Sequence, residues 1–100
     1  MANCDITSIT NPTSTSSFVA GSSVNVTWSD SGPGCNDWNV TQIVLQTNYQ
    51  SNSWSNVSTL FTGSHRVTSN AKSVTLPSSG LNYGDYYRLK INYEQEEPEQ

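Results

Sequence analysis

Chemistry on a polypeptide takes a nucleophile with its base, a pair of carboxylates, a metal site, or a surface shaped to a ligand. For the first three this chain of 100 residues holds few parts. His65 is its only histidine, and Gly63-Ser64-His65-Arg66 reads as a turn that exposes the ring. Among 17 serines, the nearness of one to His65 in sequence carries no meaning for nucleophilic catalysis. Asp30 and Asp37 share one loop, and two carboxylates about 5–10 Å apart could hydrolyse a glycosidic bond. Aspartates in a turn more commonly cap backbone N–H groups. A copper site that oxidises polysaccharide would need a second histidine, and zinc would need more ligands than one His and two Cys supply. Asp30, Asp37 and Asp85 lack the ligand spacing of a calcium loop. No catalytic residue, metal or cofactor is expected.

A binding surface is better supplied. The chain has 3 Trp, 5 Tyr and 2 Phe among few other large residues. Trp28, Tyr87 and Tyr93 fall on faces expected to point inward, whereas Trp38, Tyr49, Trp54, Tyr83 and Tyr86 fall in loops or on outward faces. An exposed flat ring suits the C–H face of a sugar, and neighbouring amides suit its hydroxyls. Asn36, Asn39, Gln46, Asn48, Gln50 and Asn52 stand near Trp38 and Trp54. Trp38, Trp54, Tyr49, Tyr83 and Asn52 are therefore the candidate carbohydrate-binding residues. The alternative is that these rings cap the open ends of the fold, with Trp38, three residues after Cys35, covering the cysteine pair.

These side chains need a scaffold, and the composition restricts which. Only 33% of residues are apolar and 12% charged, while 17 Ser, 11 Thr and 11 Asn occupy 39 positions. That is too little Ala, Leu, Glu, Lys and Arg for a coiled coil or helical bundle. No apolar run approaches the roughly 20 residues of a membrane span, so direct membrane insertion is not expected. Period-two alternation is the organising signal: Val24, Val26 and Trp28 alternate with Asn25, Thr27 and Ser29, and Tyr87, Leu89, Ile91 and Tyr93 with Arg88, Lys90 and Asn92. Shorter runs near Ile6, over residues 42–47, over residues 57–61 and over residues 72–76 lie between turn formers. The expected fold is an all-β, immunoglobulin-like or fibronectin-like antiparallel sandwich of about six or seven short strands over residues 3–93.

The net charge of −4 comes from one place. Through residue 93, Asp5, Asp30, Asp37 and Asp85 balance Arg66, Lys72, Arg88 and Lys90, and the excess is Glu94, Glu96, Glu97 and Glu99. Residues 94–100 read as an acidic flexible tail. No basic patch offers a footprint for phosphates, so nucleic acid is not an expected partner. Cys4 and Cys35 form an even count in a small Ser/Thr-rich chain, the pattern of a disulfide in an oxidising compartment; two reduced core thiols are the alternative. Asn25-Val26-Thr27, Asn39-Val40-Thr41 and Asn56-Val57-Ser58 permit N-glycosylation, a number that this composition also yields by chance. No secretory leader is visible, and Met1-Ala2 reads as a start placed ahead of a mature segment.

Ile9-Thr10-Asn11-Pro12-Thr13, followed by Ala20-Gly21-Ser22-Ser23-Val24-Asn25-Val26-Thr27-Trp28-Ser29, resembles the opening of a fungal domain family. That family comprises the Ser/Thr-rich, GPI-anchored cell-wall proteins and the related yeast factors for β-1,6-glucan assembly. Val74-Thr75-Leu76-Pro77-Ser78-Ser79-Gly80 and Gly84-Asp85-Tyr86-Tyr87-Arg88-Leu89-Lys90-Ile91 resemble its closing half, so the likeness spans about residues 6 to 92. It implies an N-terminal immunoglobulin-like sandwich, in agreement with the alternation. Two features depart from the family pattern. The Cys35-Asn36-Asp37-Trp38 loop has no counterpart there. A further strand usually follows the Tyr-Arg-Leu-Lys-Ile position, whereas here Asn92 leads to Tyr93 and the acidic stretch. One edge strand is thus expected to be less protected, with weak self-association through it.

The resemblance and the exposed rings together imply a non-catalytic module, secreted or at the cell surface, acting in a cell wall. Its expected ligand is a β-glucan-type polysaccharide, held by stacking and amide hydrogen bonds in weak, multivalent attachment. A second reading, from another class, is a structural spacer or protein-interaction module with no ligand of its own, meeting partners by strand addition at residues 72–76 or 87–93.

Overall fold

The computed structural model describes residues 4–13, 17–47, 53–81 and 87–96. They form β1 (Ile6–Asn11), β2 (Ser23–Asp30), β3 (Trp38–Thr47), β4 (Ser55–Arg66), β5 (Ala71–Thr75) and β6 (Tyr87–Gln95), with single 3-10 turns at Pro33–Cys35 and Val67–Ser69. Every pairing is antiparallel. The strands make two three-stranded sheets, ordered β1-β2-β5 and β4-β3-β6. This is a small Ig-like β-sandwich, as the alternation implied. Among the described residues no helix is long and apolar enough to cross a membrane.

The two strongest alternating runs build the interior. Val24, Val26 and Trp28 of β2 are buried, and Leu89, Ile91 and Tyr93 of β6 pack against the same cluster from the other sheet, with Arg88 and Lys90 exposed. Desolvating these side chains is the main favourable term, about 1.5–3 kcal/mol for each large aliphatic group. Where the sequence departs from period two, bulges restore the phase. Thr7 and Thr10 are extra residues of β1 against β2, so Ile6 and Ile9 both reach the core while Ser8, which strict alternation would place beside Ile6, is exposed. Thr41 is the extra residue of β3 against β6, and it lets Val40 and Ile43 both turn inward.

Three boundaries differ from the sequence expectation. β4 is twelve residues long and runs through Gly63 to Arg66, so His65 lies in a strand rather than in an exposed turn. Gly63 makes this possible with φ +153, a backbone region that L side chains rarely adopt. Trp38 opens β3 instead of lying in the preceding loop. β6 continues beyond Tyr93 through Glu94 and Gln95, and the Glu96 N–H then donates to the Asp37 carbonyl at 2.8 Å. The Glu96 carboxylate pairs with Arg66 at 3.0 Å. The acidic stretch is therefore in contact with the sandwich as far as residue 96, and 97–100 lie outside the described residues.

Two braces join the sheets at one end. Trp28 is 2% exposed, and its indole Nε1–H donates to the Val67 carbonyl at 2.8 Å. The Trp28 backbone N–H donates to the Asn70 carbonyl, and Asn70 Nδ2 donates back to the Trp28 carbonyl, each at 3.0 Å. Asn70 sits at φ 60, a left-handed conformation that asparagine tolerates better than most residues. Trp28 thus holds the turn by which the chain passes from β4 of one sheet to β5 of the other. The second brace is the Cys4–Cys35 disulfide, with Cα atoms 4.7 Å apart and both cysteines buried. It ties the approach to β1 to the 3-10 turn that precedes β3.

Replacing both cysteines by alanine is expected to lower the unfolding free energy by about 3–4 kcal/mol, the chain-entropy value for a loop of this size. Guanidinium unfolding checks this, and the wild-type chain in reductant should show the same loss.

Candidate functional site

β3 is the middle strand of the β4-β3-β6 sheet, so each of its outward side chains has a neighbour on both flanks. Gln46 stands in register with Asn56 of β4 and Arg88 of β6. Its Nε2 donates to Asn56 Oδ1 at 2.8 Å, and its Oε1 accepts from Arg88 Nε at 2.7 Å. Gln46 is 6% exposed, the one buried polar side chain among the described residues. Burying an amide is costly unless both of its ends are bonded, and here both are. The Arg88 guanidinium also lies over Trp54, 4.4 Å from the ring centroid. A planar cation over an indole face is a favourable electrostatic contact. Further along β3, Gln42 Oε1 accepts from Asn92 Nδ2 at 2.9 Å. Four residues of strand put this second amide pair roughly 13 Å from the first. The outer face of the sheet therefore carries two flat amide pairs, separated by Val44 and Lys90, with an arginine-covered tryptophan at one end.

The residues expected to bind sugar do not form one cluster. Trp54 is half-buried, just before β4 and opposite the far end of β3. Trp38 opens β3, so the two indoles stand at opposite ends of a ten-residue strand, roughly 30 Å apart. Trp38 packs on the core cluster and against Tyr93, with ring centroids 5.9 Å apart, and its Nε1 is buried without a hydrogen-bond partner. That placement fits the capping alternative. Tyr49, Asn52 and Tyr83 lie outside the described residues, as do Asn48, Gln50 and Tyr86. Of the sequons, Asn25 and Asn56 are exposed and Asn39 is half-buried. Arg88 is the functional side chain that sequence reasoning missed. It read there as an outer-face charge, because only the strand register reveals that it stands beside Gln46.

The groups considered for catalysis are engaged by backbone and side-chain partners of the fold. His65 Nε2 lies 2.7 Å from the Ala71 carbonyl and 2.8 Å from Ser69 Oγ. A carbonyl oxygen only accepts, so Nε2 carries the proton and cannot act as a base toward Ser69. The Ser69 hydroxyl lies 2.7 Å from the Arg66 carbonyl, to which it donates. The His65 ring meets Trp28 and Phe61 edge-on, at 6.4 and 6.3 Å between centroids. Asp30 Oδ1 accepts from the Gly32 N–H at 2.8 Å and Oδ2 from Asn70 Nδ2 at 3.0 Å, the turn-capping role expected of it. Asp37 Oδ2 accepts from Gln95 Nε2 at 2.8 Å.

With this geometry in hand, the chain matches the family model of the Kre9/KNH-like N-terminal Ig-like domain over residues 11–100. The match covers the resemblance carried by the Asn-Pro-Thr, Thr-Trp and Tyr-Arg-Leu-Lys-Ile segments. No curated protein and no solved structure matches the chain.

Arg88→Ala should expose Trp54 and leave Gln46 Oε1 without its donor. The expected result is red-shifted tryptophan emission and a loss of about 1 kcal/mol in chemical denaturation. Arg88→Lys keeps the charge but not the planar stack or the Nε bond, and should recover less than half of that loss.

Proposed function

The chain belongs to the Kre9/KNH-like N-terminal Ig-like domain family, a cell-wall-associated family not known for catalysis, and on that premise we propose that it is a secreted wall module that binds β-glucan-type polysaccharide. The observation that carries the reading is the outer face of the β4-β3-β6 sheet, where Trp54 is fixed beneath Arg88 next to the Gln46–Asn56 amides. A glucan presents flat C–H faces edged with hydroxyls and carries no charge. Its recognition calls for a positioned ring and for groups that both donate and accept, and amides do both. Arg88 lies over one face of the indole, and the sugar stacks on the other. Fixing the ring before the ligand arrives reduces the ordering cost of binding.

A face this shallow buries few sugar units, so a single contact is weak. Attachment to a wall comes from many modules meeting one repeating polymer, with effective concentration raising weak site affinities into lasting retention. Ser, Thr and Asn on the remaining strand faces keep the module hydrated without the charge that would bind anionic polymers.

The test is titration of soluble β-glucans while tryptophan emission and amide chemical shifts are followed. Shifts at Trp54, Asn56 and Arg88 are expected at millimolar sugar; unperturbed signals there reject the mechanism. Trp54→Ala should abolish pull-down on insoluble glucan and leave the melting temperature within about 2 °C, well below the shift of a lost core residue. A large drop in melting would instead assign Trp54 to packing.

A further inference from the structure

Four strands lie at sheet edges among the described residues, and three of them carry features that discourage pairing with another chain. β1 holds two bulges, at Thr7 and Thr10. β4 has irregular register against β3 at three places. β5 is only five residues long. Bulges and short length are the usual protections of an exposed edge. β6 has neither. Its nine residues run without an extra residue of their own, because the irregularity it shares with β3 belongs to Thr41. No proline interrupts it, and its charged side chains point to the outer face rather than into the edge.

Among the described residues no strand pairs with the outer edge of β6. The Asn92 carbonyl accepts from Thr41 Oγ1 and the Glu96 N–H donates to Asp37, so the even-numbered residues turn their backbone groups toward β3. By the alternation of an antiparallel ladder, Leu89, Ile91 and Tyr93 turn theirs outward. Beside this edge, β1 and β6 part to leave a cleft of about 370 Å³, where apolar Ile6, Ile9, Leu89 and Ile91 are joined by Ser8, Tyr93 and the charged Arg88 and Lys90. An added strand would bond to the edge and lay its inward side chains across that mixed cleft.

The charge pattern of β6 selects the occupant. Arg88 and Lys90 stand in its first half and Glu94 in its second, with Glu96 just beyond and Asn92 between. We infer that the occupant is a second copy of this chain, paired β6 to β6 antiparallel about a two-fold axis through Asn92. That register sets Lys90 of each copy opposite Glu94 of the other, while Arg88 stays on Trp54 and Gln46, and Glu96 on Arg66, within each chain. A parallel in-register strand would oppose like charges instead. Lys90 and Glu94 form no ion pair within the chain among the described residues, so both are available. The result is one six-stranded sheet, ordered β4-β3-β6-β6-β3-β4, whose two outer faces are continuous. This arrangement is tested at Lys90 and Glu94, outside the Trp54–Arg88–Gln46 group on which the glucan reading rests.

Sedimentation equilibrium of the whole chain at low salt tests it. A two-chain mass should appear as concentration rises toward about 1 mM, the range of weak association. Lys90→Glu and Glu94→Lys place like charges opposite each other twice per dimer, and each should raise the dissociation constant about tenfold. The double swap, Lys90→Glu with Glu94→Lys, keeps the strand self-complementary and should restore wild-type affinity to within about threefold. Both positions are exposed, so circular dichroism and melting should stay constant across the variants. A single-chain mass throughout, or a dimer indifferent to both reversals, overturns the proposal.

Discussion

The hydrogen bond from the Trp28 indole to the Val67 carbonyl is the constraint on which the rest of the sandwich depends. β2 and β5 are neighbours in one sheet, yet β5 follows β4 of the other, so the chain must cross between layers within residues 67–70. A crossover that tight leaves carbonyls pointing at the interior, where an unpaired one is costly. Trp28 meets the need twice, through its ring N–H to Val67 and its backbone N–H to Asn70, while its body fills the space between the sheets. Asn70 answers by bonding to Trp28 and Asp30 together, and the turn becomes part of the β2 ladder rather than an appendage. His65 packs its ring edge on the same indole. One residue therefore fixes layer spacing, crossover geometry and the end of β4.

How much of this could be read from the chain follows from which signals are local. Alternation in β2 and β6 placed Val24, Val26, Trp28, Leu89 and Ile91 inside because a strand carries its own two-residue period. Strict alternation from Ile6 would turn Ser8 inward and Ile9 outward, the reverse of what is found, since a bulge such as the one at Thr7 is set by the partner strand and leaves no mark of its own. His65 looked like a loop residue because Gly63 normally ends a strand; here β4 passes through it with a distorted ladder. The outer-face site was half legible. Trp54 and Gln46 stood out by type, but Arg88, 42 positions from Gln46, meets it only through the β3–β6 register. Such long-range pairing is tertiary information. Trp38, three residues after Cys35, read as the better candidate for capping, and the long β3 strand separates it from Trp54.

The composition also gains a physical reading. A sandwich with one wet face per sheet needs many small or flat polar residues that tolerate extended backbone. Here Thr, Ser and Asn supply them where larger folds use Lys and Glu. On the β4-β3-β6 sheet the outward amides bond to one another rather than to water alone, as in Gln42–Asn92 and Gln46–Asn56. Side chains held by neighbours present a fixed pattern of donors and acceptors. The bonded amides give that face paired donors and acceptors beside the charges of Arg88, Lys90 and Glu94.

The Cys4–Cys35 link has a mechanical side as well. In the proposed wall setting the protein would be under tension, and a covalent clasp across 31 residues removes that stretch from the length a pulled chain can yield. At about 3.4 Å per residue, roughly 100 Å of extension is withheld. β1, all of β2 and the loop to Cys35 lie inside the clasp, so traction on the two ends bypasses them and bears on β3 to β6. Under load the molecule behaves as a shorter tether with a shielded fastening at one end.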